Sequence, residues 1–289
     1  MAALTGLERV SAPAPAARTR PRVWRGVVFL LSAVYFLIPL GASLWYTIYT
    51  PGSGVSLAAY GELLTAEGFL QSLALSLGLA VATIVMVLLL ALPAMLAVRL
   101  FAPRLRVVME VLCTLPLVVP PITFVAGIGT SLRTGTEVLA PTPFWGTIIA
   151  VQNPAFPVVL VLAYVVLVLP FVYRSLDSGL RTMDVRTLVE AARNLGASWP
   201  YLLFRVIVPN LRSALASASF LTLALVLGEY TVASLLGYQP FAVWIVTVSG
   251  SKGQLSVAVS ILSLVLIWLL LLAVSTVFGR QRFGKEKGK

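Results

Sequence analysis

The chain has 289 residues, of which 59% are hydrophobic and 11% are charged, and its mean hydropathy is +0.99. Soluble domains carry about 25% charged residues, so this composition excludes an ordinary soluble fold. A net charge of +11 can indicate a nucleic-acid partner, but here the basic residues alternate with apolar runs, which is the pattern of membrane topology. We therefore expect no nucleic acid among the partners.

Apolar runs long enough to cross a bilayer recur along the chain. A membrane helix needs about 20 predominantly apolar residues, whereas a membrane β-barrel shows short alternating segments, which this sequence lacks. The fold class expected is therefore all-α: a polytopic membrane protein with six transmembrane helices within residues 23–280. The runs lie near 25–49, 68–98, 107–129, 155–176, 213–236 and 256–278.

The Lys and Arg residues follow the alternation of these runs. All except Arg133 and Lys252 lie in or beside four segments: before the first run, between the second and third, between the fourth and fifth, and after the sixth. Positive residues remain in the cytoplasm, so both termini are expected there. Residues 1–22 and 281–289 are predicted to be basic tails that attract anionic lipid, the first of them disordered.

Prolines interrupt the third run at Pro116, Pro120 and Pro121. A proline leaves a backbone carbonyl without a partner, and lipid supplies none, so this run should face protein or a water-lined cavity. Prolines also kink ordinary membrane helices. Pro120 and Pro121 are therefore candidates either for a substrate pathway or for a simple kink.

A polar insert at 179–210 separates the fourth and fifth runs. Asp184 suits a helix N-cap and Gly196 suits the left-handed position that ends a helix. Ser198, with Pro200 in the first turn, opens a second short helix that Pro209 ends. The first helix has an apolar face of Val185, Leu188, Val189, Ala192 and Leu195 and a polar face of Arg186, Glu190, Arg193 and Asn194.

Two interpretations of this insert are open. Six spans need only a short loop here, and a capped helix that carries charges and alanines suits the docking of a soluble partner. Alternatively, the amphipathic helix rests on the bilayer surface.

Glu229 is the sharpest polar feature within an apolar run. An ionised carboxylate is costly in lipid, so it should face the helix bundle or an aqueous pathway. There it can attract a cationic substrate, and Tyr230 can offer a π face to an amine. The alternative is a structural carboxylate that pairs with a backbone group or a partner subunit. Glu110 is expected to form a salt bridge with Arg104 or Arg106.

The insert carries a long motif with fixed spacing. Glu190, Ala191 and Ala192 are followed after three residues by Gly196, and nine residues later comes the sequence VIVP, which ends at Pro209. This segment resembles the EAA loop of ABC-importer permeases, which reads Glu-Ala-Ala, three residues, Gly, nine residues, Ile-x-Leu-Pro. Two further stretches, QSLALSLGLAVATIVMVLLLALPAMLAVRL and LPLVVPPITFVAGI, also look like the family, and the resemblance covers roughly residues 65–280.

The resemblance implies a type I importer fold in the bacterial plasma membrane. Its coupling helix would dock on an ABC ATPase dimer through Glu190, Ala191, Ala192 and Gly196, with Pro209 closing the motif. An extracytoplasmic solute-binding protein and a second permease would complete the transporter, a heterodimer of permeases being the better expectation. Around Glu229, the stretch LGEYTVASLLG is similar to permeases of the polyamine, ferric-iron and thiamine group.

The sequence also argues against an ATPase, an enzyme and an ion-coupled transporter. No G-x-x-x-x-G-K-[ST] phosphate loop is present, so ATP and Mg²⁺ are expected on the partner ATPase, with no cofactor or metal on this chain. No nucleophile–base pair, paired carboxylates or metal cluster suggests an enzyme, so no catalytic residue is assigned. The alternative is an ion-coupled secondary transporter, although such proteins use several intramembrane acids or histidines, and this chain has no histidine.

Overall fold

A computed structural model describes residues 23–50, 52, 54–63 and 65–279. The tails predicted at 1–22 and 281–289 lie outside these residues. The chain divides into two units, one ending at Ser43 and one beginning at Leu44. The first contains most of helix α1, Val23–Ile48, whose apolar side chains there are exposed.

The second unit contains the remaining elements. A two-residue antiparallel ribbon of β1 (Tyr49–Thr50) and β2 (Gly54–Val55) is its one departure, within the described residues, from the all-α fold. The helices are α2 (Ala58–Gly61), α3 (Phe69–Phe101), α4 (Arg106–Thr114), α5 (Pro121–Leu139), α6 (Trp145–Val151), α7 (Val158–Arg181), α8 (Val185–Asn194), α9 (Trp199–Tyr201), α10 (Val208–Asn210), α11 (Arg212–Leu227), α12 (Thr231–Leu235), α13 (Phe241–Ser249) and α14 (Gly253–Gly279).

Helices α3, α7 and α11 form the centre of the bundle. Leu79, Leu160, Leu176 and Ala218 are fully buried between them. Helices α7 and α11 approach each other closely at Gly179 of α7, where an added Cβ would lie 2.4 Å from the Cβ of Ala214. Small residues at such a crossing let two helix backbones approach closely, as is typical of helix packing in membranes.

Four helices of the described chain are long and apolar enough to cross a membrane: Trp24–Ile48, Phe69–Phe101, Val158–Arg181 and Gly253–Leu270. Two further candidates are bent pairs, Pro103–Leu117 with Pro121–Leu139 and Trp199–Asn210 with Arg212–Leu227, so the count is up to six if each pair is one span. The multi-pass helical architecture is confirmed. The number six remains a prediction.

The third predicted run is not one straight helix. Its two parts meet at 97° between Leu117 and Pro121. Pro120 adopts an extended conformation (φ −59°, ψ 137°), because a residue followed by proline is driven away from helical angles. Pro121 then opens α5 in the first turn, where its missing N–H costs nothing.

The fifth predicted run, 213–236, is also interrupted. Helix α11 ends at Leu227, and α12 begins only at Thr231. Glu229 therefore lies in a break between two helices and not inside a continuous one. The apolar run shows no sign of this break, which forms because the glutamate side chain competes for the backbone N–H groups that follow it.

Candidate functional site

The insert forms the capped helix that the sequence predicts. Asp184 accepts hydrogen bonds from the backbone N (3.2 Å) and the Oγ1 (2.7 Å) of Thr187. These bonds, the side-chain one first, hold the pKa of Asp184 below its ordinary value. Val185 and Val189 are buried, so α8 is seated on the bundle.

The end of α8 is fixed by a left-handed glycine. Gly196 has φ +80°, its N–H donates to the Arg193 carbonyl at 2.9 Å, and Ala197 N donates to the Ala192 carbonyl at 3.0 Å. This is the hydrogen-bond pattern of a Schellman motif. Nothing lies within 4 Å of a Cβ added at Gly196, so its backbone conformation, not crowding, calls for glycine.

The outward face of α8 is polar except at its tip. Glu190 is exposed and pairs with Arg186 at 3.3 Å, and Ala191 beside it is exposed too. Ala192 is half-buried against the bundle. Leu195, assigned from the sequence to the buried apolar face, is instead 88% exposed. It is the C-cap residue, where the chain leaves the helical path, so the helical periodicity no longer places it.

After the turn, Ser198 occupies the predicted N-cap position, but its side chain makes no capping hydrogen bond. The helical stretch that follows is longer than the short helix predicted from the sequence. It extends from Trp199 to Asn210, because a π-helical segment at Leu202–Ile207 joins α9 to α10. Pro209 lies in its last turn, one residue before the helix ends at Asn210. The chain then turns by 79° into α11.

Aromatic contacts link this segment to the bundle. Arg193 donates from Nη1 to the Ala197 carbonyl at 3.1 Å, and its guanidinium lies 5.5 Å from the Trp199 ring centre. Trp199 in turn packs edge-on against Phe101, the last residue of α3, with centroids 5.7 Å apart. The tip of the insert is therefore in continuous contact with a long central helix.

A cluster of ion pairs around the buried Asp177, at the same end of the bundle, was missed by the sequence reasoning. Asp177 of α7 lies 2.5 Å from Arg99, 2.6 Å from Arg181 and 3.6 Å from Arg106. The (i, i+4) spacing of Asp177 and Arg181 was the available signal. The salt bridge expected for Glu110 is absent among the described residues, because Arg106 turns to Asp177.

A cavity of about 310 Å³ lies beside two breaks, the one before Pro121 and the one at Glu229 between α11 and α12. Its polar side chains are Glu229, Tyr164 and Thr231, and the rest of the wall is apolar. The apolar lining consists of Pro116, Leu117, Val119, Pro121, Leu167, Val168, Phe171, Leu225, Val226 and Val232. Of the pathway candidates from the sequence, Glu229 and Pro121 meet here, whereas Pro120 and Tyr230 are not among the lining residues.

Glu229 acts as the cap of α12. Its Oε1 accepts from Val232 N at 2.7 Å and its Oε2 from Ala233 N at 3.3 Å. The pairing with backbone groups that the sequence left open is therefore present. The carboxylate can still accept further hydrogen bonds, since its two oxygens offer about four lone-pair sites.

The comparison with known proteins gives the family of the chain, and the matched region includes the EAA helix, the helix break and the half-buried Glu229. The model of the family described as "binding-protein-dependent transport system inner membrane component" matches residues 105–283, more than half of the chain. The chain belongs to this family. Its members are ABC transporter permeases, that is, transport subunits and not enzymes, and they are multi-pass proteins of the inner membrane.

Three curated permeases are similar to this family member. The spermidine/putrescine transport system permease protein PotB of Haemophilus influenzae is 38% identical over 89 residues, which are 31% of this chain and 30% of that protein. The Fe(3+)-transport system permease protein FbpB 2 of the same species is 31% identical over 179 residues, 61% of this chain and 30% of that protein. The probable ABC transporter permease protein y4fN of Sinorhizobium fredii is 26% identical over 275 residues, 90% of this chain and 46% of that protein.

The permease chain thus spans less than half of the length of each of these relatives. The matched family region, 105–283, contains both parts of the site, the insert 179–210 and the residues that line the cavity. These comparisons give no support to an ion-coupled secondary transporter.

Proposed function

We propose that this chain is the membrane-spanning subunit of an ATP-binding-cassette importer and that α8 is its coupling helix. The observation that carries the proposal is the geometry of the EAA segment. The helix is capped at both ends, seated on the bundle through Val185 and Val189, and exposes Glu190 and Leu195 to a partner. A helix fixed in this way can transmit a displacement, which a flexible loop cannot.

The partner that fits α8 is a cytoplasmic ABC ATPase dimer that carries ATP and Mg²⁺. Glu190, Ala191, Ala192 and Gly196 are the docking positions, Pro209 closes the motif, and the exposed Leu195 inserts into the ATPase surface. ATP-driven closure of the dimer moves α8, and the contacts from Arg193 through Trp199 to Phe101 pass that motion to α3. The bundle then alternates between two arrangements of its helices.

The topology proposed with this function has six spans and both termini in the cytoplasm. It counts each bent pair as one span. The Asp177 cluster and α8 then lie on the cytoplasmic side, and the Lys252–Glu62 pair lies on the other. An extracytoplasmic solute-binding protein delivers the solute, and a second, different permease completes the pathway.

The solute proposed is a small cation, with a polyamine as the first choice. Both similar permeases whose names state a solute are named for a cationic one, spermidine/putrescine or Fe(3+). A carboxylate in the wall of an intramembrane cavity provides the complementary charge. The single carboxylate of Glu229, in a cavity with largely apolar walls, suits an organic ammonium group. Tyr230 lies at the break beside Glu229, and Pro120 and Pro121 lie at the break in the third run. We propose these three as further pathway residues.

The test uses the full chain co-expressed with the genes that surround it. Wild type should co-purify with an ATPase and take up labelled spermidine into proteoliposomes only with ATP and a binding protein. Glu190→Lys and Gly196→Pro should lose both ATPase association and uptake while membrane insertion persists. Glu62→Lys, which also reverses an exposed paired charge, is the control and should retain the ATPase. Normal uptake in both coupling variants would overturn the docking role.

A further inference from the structure

One buried polar group in the cavity has no partner. Tyr164 of α7 is 1% exposed, and its hydroxyl makes no hydrogen bond to any residue that the structure describes. The carboxylate of Glu229 lies close enough to interact with this hydroxyl, but not in the geometry of a full hydrogen bond. A buried hydroxyl without a partner costs free energy, so a phenylalanine would be more stable at this position unless the hydroxyl serves a ligand.

We propose that Tyr164 is a specificity-determining residue, whose hydroxyl together with the Glu229 carboxylate binds one protonated amine of the solute. This inference rests on the proposed function, because it names the group that the cavity recognises. The ammonium donates one N–H to a free lone pair of Glu229 and a second to the Tyr164 oxygen. The ammonium thus supplies the partner that the protein itself does not give the hydroxyl.

The other walls of the cavity fit the rest of such a solute. A volume of about 310 Å³ suits a small organic molecule. Phe171, Leu167 and Leu225 offer apolar surface to methylene groups, and the polar groups lie together at Glu229, Tyr164 and Thr231. A carboxylate with a hydrogen-bonding oxygen beside it selects for N–H groups, not only for positive charge.

Solute binding should also be linked to the break in the fifth span. The carboxylate that receives the ammonium already caps α12 through Val232 and Ala233. Attraction of the carboxylate towards the cavity weakens those two bonds, because the same oxygens serve both. Pro121, at the break in the third run, also lines the cavity. One bound solute would therefore contact both breaks, the one at Pro121 and the one at Glu229.

The experiment measures equilibrium binding of labelled 1,4-diaminobutane to the permease–ATPase complex in nanodiscs, without the binding protein. Tyr164→Phe should weaken binding by about 10-fold to 100-fold, the effect of losing one hydrogen bond to a charged group. Tyr238→Phe is the matched control and should stay within about 3-fold, since Tyr238 does not line the cavity and its hydroxyl donates to the Gln152 carbonyl instead. The bis(trimethylammonium) analogue of the diamine has the same charge but no N–H group. It should bind to the wild type at least about 10-fold more weakly than the diamine does.

Thermal unfolding separates this role from a structural one. Without solute, Tyr164→Phe should unfold at the same temperature as wild type or higher, because it removes an unsatisfied hydroxyl. A merely structural hydroxyl would give a lower unfolding temperature. The proposal is overturned if Tyr164→Phe binds the diamine as wild type does, if the bis(trimethylammonium) analogue binds equally well, or if wild type binds no diamine. Failure of the proposed function is a distinct result, in which wild type retains no ATPase.

Discussion

Arg99 of α3 donates from Nη2 to Asp177 Oδ1 of α7 at 2.5 Å, while Arg181 and Arg106 reach the other oxygen of the same carboxylate. One buried acid thus ties α3, α4 and α7 together a few residues before α8 begins. The side chains of Asp177 and Arg99 are 11% and 20% exposed. Their interaction is therefore screened far less by water than that of a surface pair.

Asp177→Ala should lower the free energy of unfolding by about 3 kcal/mol, because it leaves three arginines together without their counter-charge. Thermal or denaturant unfolding of the detergent-solubilised protein measures the change. Glu190→Ala is the control, since it removes an exposed ion pair and should cost no more than about 0.5 kcal/mol. Equal stabilities of the two variants would mean that the Asp177 cluster holds nothing together.

The approach of α7 and α11 gives a second prediction, with a rescue. Gly179→Ala places a Cβ 2.4 Å from that of Ala214 and 3.0 Å from Leu211 Cδ2, so the helices must separate. We expect a loss of about 1–3 kcal/mol, typical of overpacking. Ala214→Gly opens the same space, so the double variant should recover part of that loss in a double-mutant cycle.

Gly146→Ala is the control for the crossing of α7 and α11. An added Cβ at Gly146 of α6 meets nothing within 4 Å, so this variant should be neutral or slightly stabilising. If Gly179→Ala behaves like Gly146→Ala, or if the Ala214→Gly change brings no recovery, the two helices do not pack as closely as the structure has them.

The contact chain from α8 to α3 gives a third prediction. Trp199→Ala removes the ring that lies between the Arg193 guanidinium and Phe101. Because Glu190, Ala191 and Leu195 stay in place, the ATPase should still co-purify, but uptake per ATP hydrolysed should fall several-fold. Trp199→Phe keeps an aromatic surface and should preserve most of the coupling. A parallel loss of ATPase association would instead assign Trp199 to docking.

The local structure of the insert 179–210 could be predicted from sequence because its determinants are local. Asp184 and Gly196 act on backbone groups within three to five residues of themselves, and such caps follow residue type directly. The buried positions Val185 and Val189 follow from helical periodicity. Leu195 escaped the prediction because it lies just past the point where that periodicity stops.

The ion cluster could not be predicted because it depends on partners distant in sequence. The prolines do predict an interruption of the third run, but hydropathy gives neither the 97° angle before Pro121 nor the gap at Glu229. Asp177 and Arg99 are 78 residues apart. The position of Tyr164 in the cavity wall was hidden for the same reason, since tyrosine in an apolar helix is ordinary until the cavity beside it is known.

The dual position of Glu229 gives the last prediction, because charge and capping can be separated by two variants. Glu229→Gln keeps a side-chain oxygen for Val232 N, so the unfolding temperature should change little, while uptake of a cationic solute falls at least about 10-fold. Glu229→Ala also removes the cap and should cost a further 1–2 kcal/mol or so of stability. Unfolding and uptake are measured on the same preparations. If Glu229→Gln transports normally and only Glu229→Ala is defective, the glutamate serves to end α11 and start α12, and the solute does not use its charge.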